Sequence, residues 1–309
     1  MSRNLSVRPL GSDWPSRAYD MAIATVGYEQ RARHAFQAFR PTARIKLACG
    51  FESQQVFEYW PNSKWFESEG FSTEHKSDRD YRLWLKGMLG ELSPDGRRAN
   101  VLVDISSVTR VRLAHILVAL RDFSVTPLSV NFVYSLAAFT TPPLEAQANS
   151  HVGPVTPEFA GWWGEPDRSV VTVVGLGYEQ DKALGAVEHL QSAEIWTFTP
   201  TSEIHEYSPA VYEANRTLLE SVPPYHQLGY LVQDPFDCFT KLESLVYGIL
   251  RTQNPVLIPF GPKLFVLCSM LVGLTHVEAP VWRVSAEGQE PPVNRKASGF
   301  VYGLEVSFG

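Results

Sequence analysis

Met21-Ala22-Ile23-Ala24-Thr25-Val26-Gly27-Tyr28-Glu29-Gln30 and Val170-Val171-Thr172-Val173-Val174-Gly175-Leu176-Gly177-Tyr178-Glu179-Gln180 are the two stretches on which the fold turns. Each is a short apolar run, strand-like in length and composition, that ends on the same tetrapeptide, Gly-Tyr-Glu-Gln. Each then enters a helix-like stretch, through Ala35–Phe39 in the first copy and Ala183–Leu190 in the second. Self-similarity at a fixed spacing is read before anything else, because it fixes the architecture.

The match continues along the chain. Ile45-Lys46-Leu47-Ala48-Cys49 corresponds to Ile195-Trp196-Thr197-Phe198, and Val101-Leu102-Val103-Asp104 to Val256-Leu257-Ile258-Pro259. Each of the latter pair is followed by a short Ser- or Gly-containing turn, a cation (Arg110 or Lys263) and an apolar helix. Phe132-Val133-Tyr134 and Val281-Trp282-Arg283 lead to Pro142-Pro143 and Pro291-Pro292. Five collinear matches read as an internal duplication, with copies over 18–145 and 168–300. Continuous apolar strands alternating with helices mark a buried parallel sheet, whose crossovers put helices on both faces. The expected fold class is therefore α/β: two tandem Rossmann-like units with mainly parallel sheets. The expected domains are 1–145, a linker over 146–167, and 168–309. The stretch Pro142–Asp167 is dense in Pro and Gly, which oppose regular structure. Trp162-Trp163 within it is expected to pack into the groove between the copies. The alternating tail Gly299–Val306 is expected to complete the edge of the second sheet.

The 309 residues are 44% apolar and 19% charged, which excludes global disorder. The apolar runs Leu264–Leu274 and Leu113–Leu120 fall well short of the ~20 residues that span a bilayer, and the N-terminus shows no signal-peptide core. Cys49, Cys238 and Cys268 have no paired spacing, which argues against a disulfide scaffold or zinc ribbon and fits a reducing, cytoplasmic location. Net charge is −6, which does not suggest a nucleic-acid coat. Residues 1–154 carry 18 Lys and Arg against 15 Asp and Glu, a balance of +3; residues 155–309 carry 9 against 18, a balance of −9. An anionic ligand would favour the first half, although solvated surface charge explains the same asymmetry.

In doubly wound sheets ligands sit beyond the carboxyl ends of the strands. The repeated features fall there. Gly27 and Gly177 permit a tight strand-to-helix turn, Tyr28 and Tyr178 offer a flat ring for a base, and Glu29 and Glu179 suit a helix start or a ligand. Gly175-x-Gly177 lacks the third glycine of the dinucleotide fingerprint, so a nicotinamide cofactor is not expected. Asp104-Ile105-Ser106-Ser107-Val108-Thr109-Arg110 ends a strand on a carboxylate and opens a helix with hydroxyls and a guanidinium, a pattern suited to an anion or, at the least, to capping. Phe260-Gly261-Pro262-Lys263 is its counterpart, with Lys263 able to reach a phosphate from the first helical turn. Asp234 and Asp237 read as carboxylates stabilising the helix over Phe239–Leu250. Ser77-Asp78-Arg79-Asp80-Tyr81 does the same before Leu83–Leu89, and Asn215 and Arg216 read as a surface helix face. No Gly-x-Ser-x-Gly elbow and no metal-ligand spacing occurs, so no metal and no cofactor are expected. Glu29 and Asp104, at neighbouring strand ends, are the candidate acid–base pair if the protein is an enzyme.

Two Rossmann-like units with Thr25-Val26-Gly27-Tyr28-Glu29 after the first strand, Ser106-Ser107-Val108-Thr109-Arg110 and Phe260-Gly261-Pro262-Lys263 at late helix starts resemble the CARF and SAVED sensor domains of prokaryotic antiviral defence. The resemblance implies a nucleotide second messenger bound between the two repeats, with Arg110 and Lys263 on phosphates and Tyr28 or Tyr178 on a base. It further implies a stand-alone sensor or a subunit of a larger complex, so that a protein partner or homo-oligomer is expected, while the short apolar runs speak for no membrane partner. Three functions are thereby expected in order: a nucleotide-sensing or interaction subunit; an enzyme of hydrolase type acting on a nucleotide or nucleoside; a non-catalytic scaffold.

Overall fold

A computed structural model describes residues 5–92, 97–142, 151–161, 165–285 and 292–309. In chain order the strands and helices of the first half are β1 (Leu5–Pro9), β2 (Ala18–Val26), α1 (His34–Phe39), β3 (Thr42–Phe51), α2 (Tyr59–Ser68), β4 (Ser72–Lys76), α3 (Asp78–Leu89), β5 (Ala99–Asp104), α4 (Arg110–Asp122) and β6 (Leu128–Ala137). There follow β7 (His151–Pro154), β8 (Val170–Gly175), α5 (Lys182–Leu190), β9 (Glu194–Thr201), α6 (Tyr207–Ala214), α7 (Arg216–Ser221), β10 (Gln227–Leu231), α8 (Pro235–Ile249), β11 (Asn254–Pro259), α9 (Lys263–Thr275), β12 (Trp282–Ser285) and β13 (Ala297–Phe308).

The chain divides into two units: Met1–Ala138 with Pro292–Gly309, and Phe139–Pro291. The first holds a seven-stranded sheet ordered β1-β13-β6-β5-β2-β3-β4. From β6 to β4 every pairing is parallel, while β13 runs antiparallel to both β6 and β1. The second unit holds a parallel sheet ordered β10-β9-β8-β11, together with an antiparallel ribbon of β7 and β12. The mainly parallel α/β architecture read from the sequence is thus present in both units. Counted from β2 in the first unit and from β8 in the second, the order of the first four parallel strands is third-second-first-fourth in both cases. The fifth strand differs. β6 is ten residues long and wholly buried, whereas its expected counterpart contributes one parallel bridge, Val281 to Leu257, before pairing with β7.

Local sequence explains the elements. β2 is buried from Tyr19 to Val26, as a central strand covered on both faces must be. α9 is buried from Leu264 to Leu274, so the longest apolar run of the chain is a core helix. Ser77 caps α3 by accepting from Asp80 N, Thr109 caps α4 by accepting from Arg112 N, and Asp234 caps α8 by accepting from Asp237 N. Two of these helices begin earlier than the sequence suggested: α3 at Asp78 rather than Leu83, and α8 at Pro235 rather than Phe239, where Pro in the first helical turn needs no N–H partner.

Two expectations are corrected. The tail completes the first sheet, not the second: β13 inserts between β6 and β1, where Leu304, Val306 and Phe308 are buried. Its alternation shows that it is a strand but not which sheet needs it, and the exposed edge of β6 is the one it fills. The boundaries at 145 and 168 move accordingly, and the expected linker contains β7 and a 3-10 turn at Pro157–Phe159. Trp162 and Trp163 lie outside the described residues.

Candidate functional site

In the first unit the strand order reverses between β2 and β5, so the loops leaving these two strands face one crevice at the carboxyl edge of the sheet. The loops touch. A Cβ built on Gly27 would stand 2.5 Å from Ser107 Cβ, so only glycine lets the loop after β2 approach the turn after β5 this closely. This sets the loop that carries Gly27, Tyr28 and Glu29 against the turn that carries Ser106, Ser107, Thr109 and Arg110, with Gly27 against Ser107 as the contact. Tyr28 is half-buried, packs on the core of the unit and meets Phe57 edge-on at 6.3 Å. Arg110 is the first residue of α4 and is half-buried. Thr109 spends its hydroxyl on the cap at 3.2 Å.

The two carboxylates are both buried and both engaged. Asp104 Oδ1 accepts from Ser106 N at 2.8 Å and from the Ser106 hydroxyl, which in turn accepts from Ser135 N at 2.8 Å. Ser106 is therefore part of the frame that holds the β5 turn. Glu29 accepts from Arg31 Nε and lies 3.5 Å from Arg295 Nη1. Arg31 is itself buried and donates to the Tyr134 hydroxyl at 3.1 Å and to Ser135 O at 2.9 Å. Burial opposes its charge, but Tyr134 and Glu29 beside it hold its pKa above the ordinary guanidinium value. The segment over 292–296 crosses this edge: Gln30 N donates to Asn294 Oδ1 at 2.8 Å and Arg31 N to Arg295 O at 3.2 Å.

The second unit repeats the arrangement at the carboxyl ends of β8 and β11. A Cβ on Gly177 would lie 3.0 Å from Gly261 N, and one on Gly261 would lie 2.3 Å from Leu176 O. Gly261 also has φ +75, a left-handed conformation that glycine adopts without strain. Tyr178 meets Tyr207 at 5.6 Å and Phe139 at 6.4 Å, Glu179 is half-buried, and Lys263 is the first residue of α9. Asp181 stands where the first unit has Arg31, so the buried guanidinium partner of the motif glutamate is particular to the first unit.

Two features escaped the sequence reading. Asn62 of α2 donates its amide to Gly27 O at 2.8 Å and Glu29 O at 2.9 Å. Asn215, placed beforehand on a surface face, is buried and donates to Gly177 O at 2.7 Å and Val211 O at 2.8 Å, while Arg216 is exposed and pairs with Glu213. The same device thus holds the same glycine carbonyl in both units. Its signal was present as Tyr59-x-x-Asn62 and Tyr212-x-x-Asn215. The second feature is Arg112, two residues past Arg110 and fully buried. It donates to Asp78 Oδ1, to the carbonyls of Cys49 and Gly50 and to that of Lys76 at 2.7, 3.4, 3.0 and 2.6 Å, and lies over the rings of Phe51 and Tyr81. Arg112 ties α4 to the ends of β3 and β4. The signal was an arginine set next to the apolar run Leu113–Leu120 of α4.

Among the described residues no three His, Cys, Asp or Glu side chains gather as a metal site, and no helix is long and apolar enough to cross a membrane. The chain matches no protein-family model and no curated protein. Among solved structures it is similar to the cytoplasmic domain of a prokaryotic cation chloride cotransporter, at 12% identity over 89% of this chain and 98% of that one, with a TM-score of 0.26. A likeness at that level carries no argument about what this chain binds.

Proposed function

We propose that this chain binds an anionic, nucleotide-like small molecule at the carboxyl edges of its parallel sheets and acts as a sensing or interaction subunit rather than as an enzyme. The observation that carries the reading is the contact of Gly27 with Ser107. It joins the loop that carries Tyr28 and Glu29 to the turn that carries Ser107 and Arg110, at the point where strand order reverses, and this supports the reading. Binding is favoured over turnover because Glu29 and Asp104 are committed to partners within the frame. The resemblance to CARF and SAVED domains makes an oligonucleotide second messenger the ligand class of choice. The common third-second-first-fourth strand order and the repeated asparagine support descent of the two units from one duplicated module.

The test is a thermal-shift and calorimetric screen of nucleotides, with products followed by mass spectrometry. A ligand at 100 times its Kd stabilises by about 2.7 kcal/mol. Binding without product, weakened in Arg110→Ala, is the expected result. Product formation that disappears in Asp104→Asn would establish the enzyme instead, and no shift with any nucleotide would leave the scaffold.

A further inference from the structure

The loop between β3 and α2 and the first turn of α2 carry exposed aromatic side chains that the core does not use. Phe57 and Trp60 are 55% and 50% exposed, although both are large and apolar. Phe57 and Gln54 have φ of 50 and 56, a left-handed conformation that non-glycine residues adopt at a cost. The loop is bound to the Gly-Tyr-Glu-Gln motif by Glu58 N donating to Tyr28 O at 3.1 Å and by the Tyr28–Phe57 ring contact. Trp60 stands against His75 at the end of β4, with ring centroids 5.5 Å apart.

The protonation pattern of His75 follows from its neighbours. Tyr59 Oη lies 2.6 Å from Phe51 O and 2.6 Å from His75 Nδ1. A carbonyl only accepts, so the single hydroxyl proton goes to Phe51 O and His75 Nδ1 must supply the other one. Burial raises the Tyr59 pKa to about 12, which keeps that proton in place. Gly50 makes the cluster possible, since a Cβ there would stand 2.2 Å from Tyr59 Oη and 2.8 Å from His75 Nδ1. With Nδ1 carrying the hydrogen, neutral His75 presents Nε2 as an acceptor, and Nε2 has no partner among the described residues.

We infer that the ends of β3 and β4 form a nucleobase subsite, in which Trp60 and Phe57 stack on a purine or pyrimidine and His75 Nε2 accepts a hydrogen bond from a base N–H. The inference deepens the reading of an anionic nucleotide-like ligand and rests on it for the phosphate end. The base is favoured over a protein surface because the acceptor is single, fixed and set beside aromatic faces, at the sheet edge where the loop adjoins the motif. Aromatic stacking is a main source of base affinity, so loss of a ring should weaken binding roughly tenfold.

The experiment titrates the full chain with ATP, CTP, GTP, UTP and tripolyphosphate by calorimetry, in the wild type and in Trp60→Ala, Phe57→Ala and His75→Ala. Urea midpoints verify the fold, and the exposure of Trp60 makes that substitution benign. The expected result is nucleotide binding about tenfold weaker in Trp60→Ala with tripolyphosphate unaffected, and loss of base preference in His75→Ala. Equal binding of nucleotides and tripolyphosphate, unchanged in the Trp60→Ala, Phe57→Ala double variant, overturns the subsite while leaving the anion reading intact. If no phosphate compound binds, adenosine and cytidine decide: quenching of tryptophan fluorescence that is lost in Trp60→Ala upholds the subsite without the anion, and no quenching overturns it. Self-association abolished by Trp60→Ala, with no nucleotide effect, also overturns it in favour of a docking surface.

Discussion

Arg112 is fully buried and donates to three carbonyls at the ends of β3 and β4 and to the Asp78 carboxylate at the start of α3. A buried acceptor left without its donor costs about 1–3 kcal/mol, so Arg112→Leu, which takes the donor from the carbonyls of Cys49, Gly50 and Lys76, should lower the urea stability of the first unit by at least that order. Arg112→Lys should not restore it, because an ammonium lacks the planar fork that reaches several acceptors at once. Asn62→Ala strands the carbonyls of Gly27 and Glu29 and should cost about 1–3 kcal/mol by the same assay. Asn215→Ala should show a similar loss in the second unit. Gly27 and Gly177 were legible from sequence because a strand, a glycine and a helix start are contiguous and local. Arg112 was not, because its partners come from positions 49–50 and 76–78, and only the folded sheet sets them around one helix face.

At the scale of elements the C-terminal strand is the instructive case. Its alternation made it recognisable as a strand, yet its partner β6 lies about 170 residues earlier, so that Val301 pairs with Ser135 and Leu304 with Phe132. Alternation specifies a face to be buried and says nothing about which open edge will accept it. A chain ending at Lys296 should therefore damage the first unit, not the second. It exposes β6 and detaches β1, and the expected outcome is a loss of solubility with aggregation through the freed edge. A truncated chain that stays monodisperse with an unchanged circular dichroism spectrum would contradict this. The strands β2 to β5 and β8 to β11 were readable because a parallel sheet covered on both faces demands unbroken apolar runs.

Across the whole molecule the three cysteines report on the core rather than on chemistry. Cys49, Cys238 and Cys268 are all free and buried. Burial pushes the Cys49 thiol up to about 11, and burial, with Cys268 beside it, raises Cys238 well above the ordinary value. Native protein should resist a thiol-alkylating reagent between pH 7 and 9, and all three should react once unfolded, as counted by intact mass. Because the folded value is raised, this contribution to stability is complete below the unfolded thiol pKa of about 8.5 and fades as pH climbs toward 11. The class of fold, the repeated Gly-Tyr-Glu-Gln loops and the helix starts at Arg110 and Lys263 could be read from residue order alone, because each depends on neighbours within one strand–turn–helix passage. The owner of the last strand, the burial of Asn62, Asn215 and Arg112, and the hydrogen on His75 Nδ1 depend on groups far apart in the chain. Those were settled by packing, since hydrogen-bond partners and sheet edges exist only once distant segments share one core.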